Sequence, residues 1–576
     1  MVKRKNLRSG SRRMGQESLF PLRMIVFTCV MALLVVAANY GYEWMNETFN
    51  LMPAFRVIII GLLVLVTVTA WVFWLLFFNP MSFVKRYGIF AILVLLVGGL
   101  GVLYKPVTGG DLGISRWEPR FWEAEKRLAQ AEVPSPVDLS RTSSADFNQF
   151  LGSDRNGVVN RIRLAEDWRG NNAPRLVWRQ SIGEGWSGFV AVNGFAITQE
   201  QRGADECVSC YDILSGRMQW IYKSPRRHRD SANLGHSGPR ATPLIHEGRV
   251  YTQGATGAVT CLNGETGRLI WEIDLVEILG IQMIPSKDML QKEEYSYENS
   301  SLAWGRAGSP MMVGDRLIVT GGGPRGGPFK TILALDKDTG AEIWSGGEEM
   351  IAYGSPALMT LAGKKQIVLV AESKAMGFSA EDGTVLWTHD RLGTSDANAN
   401  CSQVTYVDDS SVLLSKGYSM GGELLTIDSS PSGMSAKSVW NSPRVLKTKM
   451  TSPVIHNGHA FSLSDGFLEC TEVKSGIRKW KKRGRFGDGQ ILLVQDKLLV
   501  HGEDGTLHLY RTDTDEAVEV DMIRTINGVC WNTMCLYDRY LLVRSDVEAA
   551  CFELMLGLEE QKEKKEAVPM NKIRKL

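Results

Sequence analysis

The sequence carries almost no net charge and no attachment pattern for a redox group. Its 576 residues include 65 Lys and Arg against 63 Asp and Glu, a formal net charge of +2. Proteins that bind nucleic acid through their overall charge have a clear basic excess, so we do not expect nucleic acid as a partner. Cys207 and Cys210 form a C-x-x-C pair, but Tyr211 follows where covalent haem attachment requires His. The sequence therefore predicts no built-in haem acceptor.

Long apolar runs are concentrated in the first fifth of the chain. Residues 24–40, 57–78 and 87–104 contain no charged side chain. The middle run can cross roughly 30 Å of hydrocarbon at about 1.5 Å per residue, and the outer two are close to the lower limit of length. We therefore predict a transmembrane region with three helices over residues 24–104, which makes the membrane a partner.

The charges beside these runs predict their orientation. Seven basic residues precede the first run, and Lys85 and Arg86 lie between the second and the third. The loop between the first two runs has no Lys or Arg before Arg56. By the positive-inside rule, residues 1–23 form a basic cytoplasmic tail, and three crossings leave the remainder of the chain outside the cytoplasm.

The first apolar run has a second interpretation, as a cleaved signal peptide. A basic head, an apolar stretch and small residues at Ala37 and Ala38 fit that pattern. Cleavage would leave two spans and the same side for the C-terminal bulk. Both interpretations predict a protein of the cytoplasmic membrane whose main body is extracytoplasmic, or periplasmic.

Residues 105–146 are predicted to connect the membrane region to this main body. Residues 115–131 mix Trp, Phe and Leu with paired charges, which is typical of a short helix near a membrane surface. Residues 133–146 are rich in Pro, Ser and Asp, so they bury little apolar surface and are predicted to be a flexible tether. At the other end of the chain, residues 557–576 form a charged tail.

A tryptophan recurs in the main body behind a fixed phrase. The phrase has a small residue, in most copies an acid or amide two positions on, Gly at plus six and Trp at plus ten. Its five copies are Cys210-Asp212-Gly216-Trp220, Cys261-Asn263-Gly267-Trp271, Ala334-Asp336-Gly340-Trp344, Gly377-Ser379-Gly383-Trp387 and Cys470-Glu472-Gly476-Trp480. Self-similarity over a few tens of residues marks a solenoid, a propeller or an array.

Eight β-rich units follow one another through this region. Most open on two apolar runs around a short Gly, Asp or Asn turn, the pattern of a β-hairpin. The openings start at residues 191, 243, 310, 356, 404, 453, 491 and 534. The eighth unit lacks its Gly and Trp, whereas an unassigned strand with a Trp starts at residue 174. We therefore predict an all-β fold, an eight-bladed β-propeller over residues 147–556, in which the early strand completes the last blade.

The repeated residues have structural roles in such a fold. The Gly and the acid form a turn between two strands, and each Trp packs on the neighbouring blade while its indole N–H finds a partner. The tryptophans given this role are Trp178, Trp220, Trp271, Trp344, Trp387, Trp440 and Trp480. Cysteines in the small-residue position are expected to be small buried side chains, not redox groups. They are Cys210, Cys261, Cys470 and Cys551.

The phrase resembles that of a known family. ALDKDTGAEIW over residues 334–344 is similar to the tryptophan-docking motif A-x-D-x-x-T-G-x-x-x-W of the pyrroloquinoline quinone (PQQ) repeat. This repeat builds the eight-bladed propellers of quinoprotein dehydrogenases and of the lipoprotein subunit of the outer-membrane β-barrel assembly machinery. The resemblance covers residues 147–556. Segments 147–159 and 183–212 also look like bacterial membrane-tethered PQQ-binding-like proteins.

The resemblance implies PQQ and calcium as candidate cofactors. PQQ carries three carboxylates that Arg and Lys would hold. The candidates, in connections between blades, are Arg202, Arg240, Arg306, Arg325 and Lys374. The alternative for each is a solvated side chain or a salt bridge between blades. No spacing of Asp, Asn and Glu identifies a calcium site, so no metal ligand is assigned.

Two loops stand out. Residues 321–327, GGGPRGG, look like a phosphate loop but continue as a strand where such a loop needs a helix, which favours a wide β-turn. An insertion over residues 276–304 separates Trp271 from Trp344 by 73 residues. Its apolar side chains favour a loop packed over one face, and we expect it to contact a partner or ligand.

Two functions are consistent with the sequence. The first is a non-catalytic binding or scaffolding propeller that presents its loops and central funnel to a protein of the cell envelope. The second is a membrane-bound PQQ-dependent alcohol or sugar dehydrogenase, with the cations around PQQ and an acid such as Asp396 as base. Alcohol-oxidising quinoproteins carry two adjacent cysteines, which this sequence lacks. That departure and the missing haem pattern favour the first function, and no catalytic residue is assigned.

Overall fold

The computed structural model describes residues 19–110, 113–119, 128, 137–228, 237–281, 302, 304–324, 326–394 and 398–557. The chain forms two compact units. The first comprises Met1–Val107 and Asp111–Trp122, and the second comprises Thr108–Gly110 and Glu123–Leu576. The first is mainly helical and the second is mainly β.

Four helices make up most of the first unit. They are α1 (Leu19–Tyr40), α2 (Tyr42–Phe49), α3 (Pro53–Phe73, continued by a π-helical turn at Trp74–Phe78) and α4 (Phe83–Leu103). The segments Leu22–Tyr40, Pro53–Phe78 and Phe83–Leu103 are long and apolar enough to cross a membrane, and few of their side chains are buried within the protein. Such exposed apolar surface is stable in lipid and not in water. The prediction of three helices of spanning length is confirmed.

The segment after α4 is extended. Tyr104–Thr108 and Ile114–Pro119 form a two-stranded sheet. The predicted helix over residues 115–131 is therefore wrong at its start. The reason is local, since Pro119 lacks an N–H and disfavours helical geometry in the residue before it. Residues 120–127 and 129–131 lie outside the described residues.

The second unit is a ring of eight sheets, or blades. Each has four antiparallel strands, and the sheet of blade 7 has a fifth, parallel strand. The strands of blades 1 to 4, from the axis outward, are Val190–Val192, Phe195–Arg202, Asp205–Asp212 and Met218–Ser224; Leu244–His246, Arg249–Gln253, Ala258–Asn263 and Leu269–Asp274; Met311–Val313, Arg316–Gly322, Lys330–Asp336 and Glu342–Gly346; Ala357–Leu361, Lys364–Val370, Lys374–Ser379 and Val385–Asp390. Those of blades 5 to 8 are Thr405–Asp408, Ser411–Lys416, Gly421–Ser430 and Gly433–Ser442; Val454–His456, His459–Ser464, Phe467–Glu472 and Arg478–Lys481; Gln490–Val494, Lys497–His501, Thr506–Arg511 and Glu519–Arg524; Cys535–Tyr537, Tyr540–Arg544, Glu548–Glu553 and Arg175–Ser181.

The early strand closes the ring. Arg175–Ser181 pairs antiparallel with Glu548–Glu553, so blade 8 combines both ends of the propeller sequence. An ion pair between Arg175 and Glu553 joins the same two strands. Closure leaves no blade short of its outer strand, which removes an edge that would otherwise invite aggregation. The predicted eight blades and their closure are confirmed.

The apolar core lies between successive blades. Val190 and Ile197 of blade 1, for example, pack with Ile245, Val250 and Leu262 of blade 2. Because the inner strands are covered on both faces, they are apolar almost without alternation, as in other doubly covered sheets. The four cysteines of the small-residue position are fully buried free thiols, as predicted.

Five tryptophans of the outer strands reach from one blade to the next. Each donates its indole N–H to a backbone carbonyl in the turn between the last two strands of the neighbour. The pairs are Trp178–Ile213, Trp220–Gly264, Trp271–Lys337, Trp440–Val473 and Trp480–Asp513, at 2.7, 2.9, 3.0, 2.9 and 3.0 Å. Trp344 packs on Gly383, but its Nε1 has no hydrogen-bond partner among the described residues. Trp387 instead donates to Gln366 Oε1 of its own blade, at 2.7 Å.

The entry segment, residues 147–162, lies along the inner strands of the ring. Phe147 N donates to Ala191 O of blade 1 at 2.9 Å, and Ile245 N of blade 2 donates to Asn148 O at 2.8 Å. Val158–Val159 then pairs in parallel with the first strand of blade 7. The first strands of propeller blades surround the central channel, so this segment occupies part of that channel.

Arg155 anchors the entry segment at the axis. The side chain is 5% exposed, and its guanidinium donates to the carbonyls of Ser309, Pro310 and Pro356 at 2.6, 3.1 and 2.7 Å. Its own carbonyl accepts from Gln403 Nε2 at 2.7 Å. These partners precede the first strands of blades 3, 4 and 5. A buried guanidinium is tolerated because its N–H groups meet carbonyls.

The segment before it is also packed. Val137 and Leu139 are each 2% exposed and belong to the core between blades 1 and 2. Asp138 Oδ1 accepts from Ser140 N at 3.0 Å, which closes a local turn. The prediction of a flexible tether over residues 133–146 is therefore wrong from Val137 onward. Two apolar side chains that pack between blades are sufficient to hold this segment in place.

Candidate functional site

The connections between blades form one face of the ring, here called the upper face. This face contains the segments that join the outer strand of one blade to the first strand of the next, and the turns between second and third strands. The described cations proposed from the sequence belong to it: Arg202, Arg240, Arg306 and Lys374. Arg325 and Asp396 lie outside the described residues, as do residues 282–300 of the predicted insertion.

Arg202 forms an ion pair with a carboxylate inside blade 1. Its Nη2 lies 3.0 Å from Glu200 Oε1 and 3.1 Å from the Tyr211 hydroxyl. Glu200 is fully buried and also accepts from Gly183 N at 2.6 Å and from the Ser209 hydroxyl. Burial by itself would raise the pKa of Glu200, but Arg202 and the Ser209 hydroxyl hold it below its usual range. Arg202 therefore stabilises a buried anion of its own blade.

Lys374 is also paired. Its Nζ lies 2.5 Å from Glu349 Oε1, and the second oxygen of that carboxylate accepts from Ser373 Oγ at 2.8 Å. The hydrogen bond to Glu349 raises the pKa of Lys374. The salt bridge joins the connection after blade 3 to a turn of blade 4. Lys374 therefore has the role that was the alternative to cofactor binding, a salt bridge between blades.

Arg306 and His228 line a small pocket shared by blades 1, 2 and 3. The other lining residues are Ala255, Thr256, Val276, Ile281, Leu302 and Gly305. Arg306 is 4% exposed and donates to Gly321 O. His228 is 2% exposed, and its Nε2 has no hydrogen-bond partner among the described residues. Burial, with a contribution from Arg240, lowers the pKa of His228 well below its ordinary value, so the imidazole is neutral.

Glu206 lies beside this pocket. Its Oε1 accepts from Ala255 N at 2.8 Å, and its Oε2 is 3.5 Å from Thr256 Oγ1. Burial raises the pKa of Glu206 to about 7, against the opposing effects of the Ala255 N–H and of Arg240. A neutral imidazole in the wall of the pocket therefore lies near an acid beside it whose pKa is raised to about 7. Its free space is close to the minimum that holds one ordered water, so it suits a water-sized ligand.

Across the upper face from this pocket, the buried charges are paired. Three ion pairs between cations and acids of neighbouring blades lie there with little exposure. They are Arg391–Glu423, Lys447–Asp465 and Lys449–Asp488, at 3.1, 2.6 and 3.3 Å. Sequence reasoning missed all three. The partners of each pair come from different blades, and no local spacing in the repeat links them.

These residues do not fit the cofactors that the fold family implies. The three carboxylates of PQQ need cations that are available to pair with them. Arg202 and Lys374 already hold Glu200 and Glu349. Arg240 donates to the carbonyl of Gly238, and Arg306 is buried against the carbonyl of Gly321. Within the described ranges, no group of three or more His, Cys, Asp and Glu is arranged to hold a metal ion. The described residues thus provide no cradle for PQQ with calcium.

Residues 204–482 match the family model described as outer membrane protein assembly factor BamB. No curated protein matches the chain. Similar solved structures include BamB from Moraxella catarrhalis, with 14% identity, 66% of this chain and 99% of that chain covered, and a TM-score of 0.44. They also include the quinohemoprotein alcohol dehydrogenase of Comamonas testosteroni, with 10% identity, 71% and 80% covered, and a TM-score of 0.49.

The region that matches the family model can be located on the ring of blades. Eight blades are closed by an early strand, and the Gly–Trp phrase recurs on successive outer strands. The matched region spans blades 1 to 6, from the first turn of the upper face to the outer strand of blade 6. Residues 204–482, just under half of the chain, therefore match the family model described as outer membrane protein assembly factor BamB, and the β unit that contains them is an eight-bladed β-propeller.

Proposed function

We propose that this protein is a binding and scaffolding module of the cell envelope, anchored in the cytoplasmic membrane with its propeller on the extracytoplasmic side. Three helices of spanning length and the basic residues that flank them support the anchor and its orientation. The matching family model describes an assembly factor, and protein partners are the corresponding expectation for this chain.

The occupied axis is the observation that carries this proposal. In a propeller that binds a ligand in its channel, the channel must be open to that ligand. Here the entry segment runs along the inner strands, and Arg155 ties it to the connections before blades 3 and 4. Recognition by the surface loops and blade edges needs no movement of this segment. A channel ligand would have to displace a guanidinium from three carbonyls.

The side of the membrane can be tested with one introduced thiol. Ser432 is exposed at the tip of the long hairpin of blade 5, and the described cysteines of the propeller are buried or half-buried. We expect Ser432→Cys to react with a membrane-impermeant maleimide on spheroplasts, whereas the unchanged protein reacts little. Labelling only after lysis would contradict the proposed orientation.

The function itself can be tested by photo-crosslinking and by an oxidation assay. A photoreactive residue at Leu392, exposed on the upper face, or at Ser432 is expected to give adducts with a defined envelope protein in intact cells. Purified full-length protein with added PQQ and calcium is expected to show no dye-linked oxidation of alcohols or sugars. Turnover that depends on PQQ would overturn the scaffolding role in favour of a dehydrogenase.

A further inference from the structure

Blade 6 carries a concentration of positive charge that no other blade shares. Between residues 474 and 485 the chain has seven basic residues and no acidic one, although its overall net charge is only +2. They form the blade 6 basic surface: Lys474, Arg478, Lys479, Lys481, Lys482, Arg483 and Arg485. The surface covers the outer strand Arg478–Lys481 and continues into the connection to blade 7.

Part of this charge is held in place by neighbouring groups. Lys482 Nζ lies 3.0 Å from Glu519 Oε2 of blade 7, and Lys481 Nζ lies 4.2 Å from the centre of the Phe467 ring. Arg485 is placed over the same ring at 5.6 Å. Contacts of this kind orient the cationic heads.

Two members of the surface are directed to solvent. Lys479 and Arg483 are both exposed, and neither forms an ion pair with a described residue. They lie on opposite sides of Lys481 and Lys482 in the sequence. The surface therefore presents adjacent positive groups with a fixed backbone beneath them.

Protection of a sheet edge does not account for this charge. Lysine on an outer strand discourages pairing with another chain, and one or two such residues are enough. The outer strands of blades 2, 3 and 4 contain no Lys or Arg: they read LIWEID, EIWSG and VLWTHD. The two arginines of the blade 8 outer strand, Arg175 and Arg179, form ion pairs with Glu553 and Glu548. A run of seven basic residues within twelve positions occurs in blade 6 and in no other blade.

We propose that the blade 6 basic surface binds the phosphate headgroups of anionic lipids. Arg forms paired hydrogen bonds to phosphate and Lys supplies point charges, and clusters of four to eight such residues near a bilayer recognise anionic lipid. Helices of spanning length keep this chain beside a bilayer. The proposal rests on the membrane tether of the proposed function and is independent of its envelope partner.

The test uses the full-length protein in nanodiscs of zwitterionic lipid, mixed with separate vesicles of phosphatidylcholine with or without phosphatidylglycerol. Co-sedimentation is expected only with the anionic vesicles and is expected to weaken as salt is raised. The double variant Lys479→Gln/Arg483→Gln should reduce the apparent affinity by about 25-fold, at about fivefold for each charge removed.

The matched control is Lys364→Gln/Lys365→Gln, which removes the same charge from the exposed start of the second strand of blade 4. The control should bind the vesicles like the unchanged protein, and the basic N-terminal tail is present in every variant. Equal losses in the two double variants would show attraction by net charge and overturn the proposal. Binding to polyglutamate that depends on Lys479 and Arg483, without vesicle binding, would assign the surface to an acidic protein and also overturn it.

Discussion

The contact from blade 1 to blade 2 and the contact from blade 4 to blade 5 use the same sequence phrase in different ways. At the first, Trp220 crosses to blade 2, where Gly267 lies under its ring and Gly264 O accepts its N–H at 2.9 Å. At the second, Trp387 lies in the core between blades 4 and 5 but donates its N–H to Gln366 Oε1 of its own blade at 2.7 Å. The phrase predicts the tryptophan but not its direction.

The difference is explained by what the neighbouring blade offers. The last two strands of blade 5, Gly421–Ser430 and Gly433–Ser442, are ten residues each and replace the short Gly turn with a long hairpin. Met434 and Ala436 of this hairpin pack on the core of blade 4. Blade 4 compensates with Gly377 beneath the indole, at a position where blades 1, 2, 3, 6 and 8 have Ala or Cys. The inter-blade contact is thus a property of two blades, not of one repeat.

The largest effect is expected from adding a methyl group under a tryptophan that crosses between blades. Gly267 has a φ of +68°, and a Cβ there would lie 2.5 Å from Trp220 Cε3. Gly267→Ala should lower the free energy of unfolding by about 3 kcal/mol, since left-handed strain and overpacking act together. Thermal unfolding of the full-length protein in detergent, followed by circular dichroism, measures the loss.

A control separates strain from the ring contact. Gly363, in a turn of blade 4, has a φ of +76° with nothing within 4 Å of an added Cβ. Gly363→Ala should therefore cost only the strain, about 1 kcal/mol. If both variants lose the same stability, the packing of Trp220 on Gly267 contributes nothing and the comparison fails.

The two sides of the ring also differ in buried charge, which predicts a pH dependence for one side. Glu206 has no ion pair with a described residue and a pKa of about 7, whereas Glu423 is paired with Arg391. The pKa of Glu206 is higher in the folded protein than the ordinary value near 4.5, which holds in the unfolded chain. The free energy of unfolding is therefore unaffected below pH 4.5 and falls as the pH rises toward 7, because the folded protein then binds a proton more tightly than the unfolded chain does. The loss should reach about 3 kcal/mol at pH 8 and be removed by Glu206→Gln.

The measurement is the difference in unfolding free energy between Glu206→Gln and the unchanged protein at pH 5 and pH 8. The glutamine keeps an acceptor for Ala255 N, so the variant removes the charge and little else. The difference should grow with pH in favour of the variant. A difference that is constant from pH 5 to pH 8 would show that Glu206 does not titrate as a buried acid.

A smaller effect is expected at the small-residue position. A Cβ at Gly377 would overlap Trp387 Nε1, so Gly377→Ala should destabilise the protein by about 2 kcal/mol through overpacking. At the equivalent position of blade 3, Ala334→Gly should instead cost about 1 kcal/mol, because it removes a buried methyl and loosens a strand. A methyl group is thus expected to destabilise the protein at residue 377 and to stabilise it at residue 334. This contrast would show that the indole of Trp387 lies against Gly377. Gly377→Ala without loss of stability would remove that explanation.

The repeat phrase made the ring predictable because its period and its turns are local. Eight hairpin openings and an orphan strand at residue 174 were enough to predict eight blades and their closure. Predictions that relied on the composition of a segment failed where a few of its side chains pack against another part of the protein. Val137 and Leu139 are packed between blades in a segment rich in Ser and Asp, and Pro119 follows a strand, not a helix.

The upper face was less predictable, because its contacts join residues that are distant in sequence. Arg202 and Lys374 were recognised as cations of the connections, but their carboxylate partners follow from the register of blade 1 and from a connection after blade 3. His228 and Glu206 carry no local pattern, and burial is the largest cause of their pKa shifts. A single sequence offers no signal for such groups until the strands are aligned.

The smallest predicted effect isolates the hydrogen bond that replaces the crossing contact. Trp387→Phe removes volume and strands the buried Gln366 Oε1, whereas Gln366→Met removes that acceptor. In a double-mutant cycle, Trp387→Phe should cost about 1 kcal/mol less in the Gln366→Met background, because one unsatisfied buried acceptor is then avoided. The equivalent double-mutant cycle cannot be made at Trp220, because its acceptor is the backbone carbonyl of Gly264 and not a side chain. Zero coupling between Trp387 and Gln366 would mean that blade 4 holds its indole by packing on Gly377 alone.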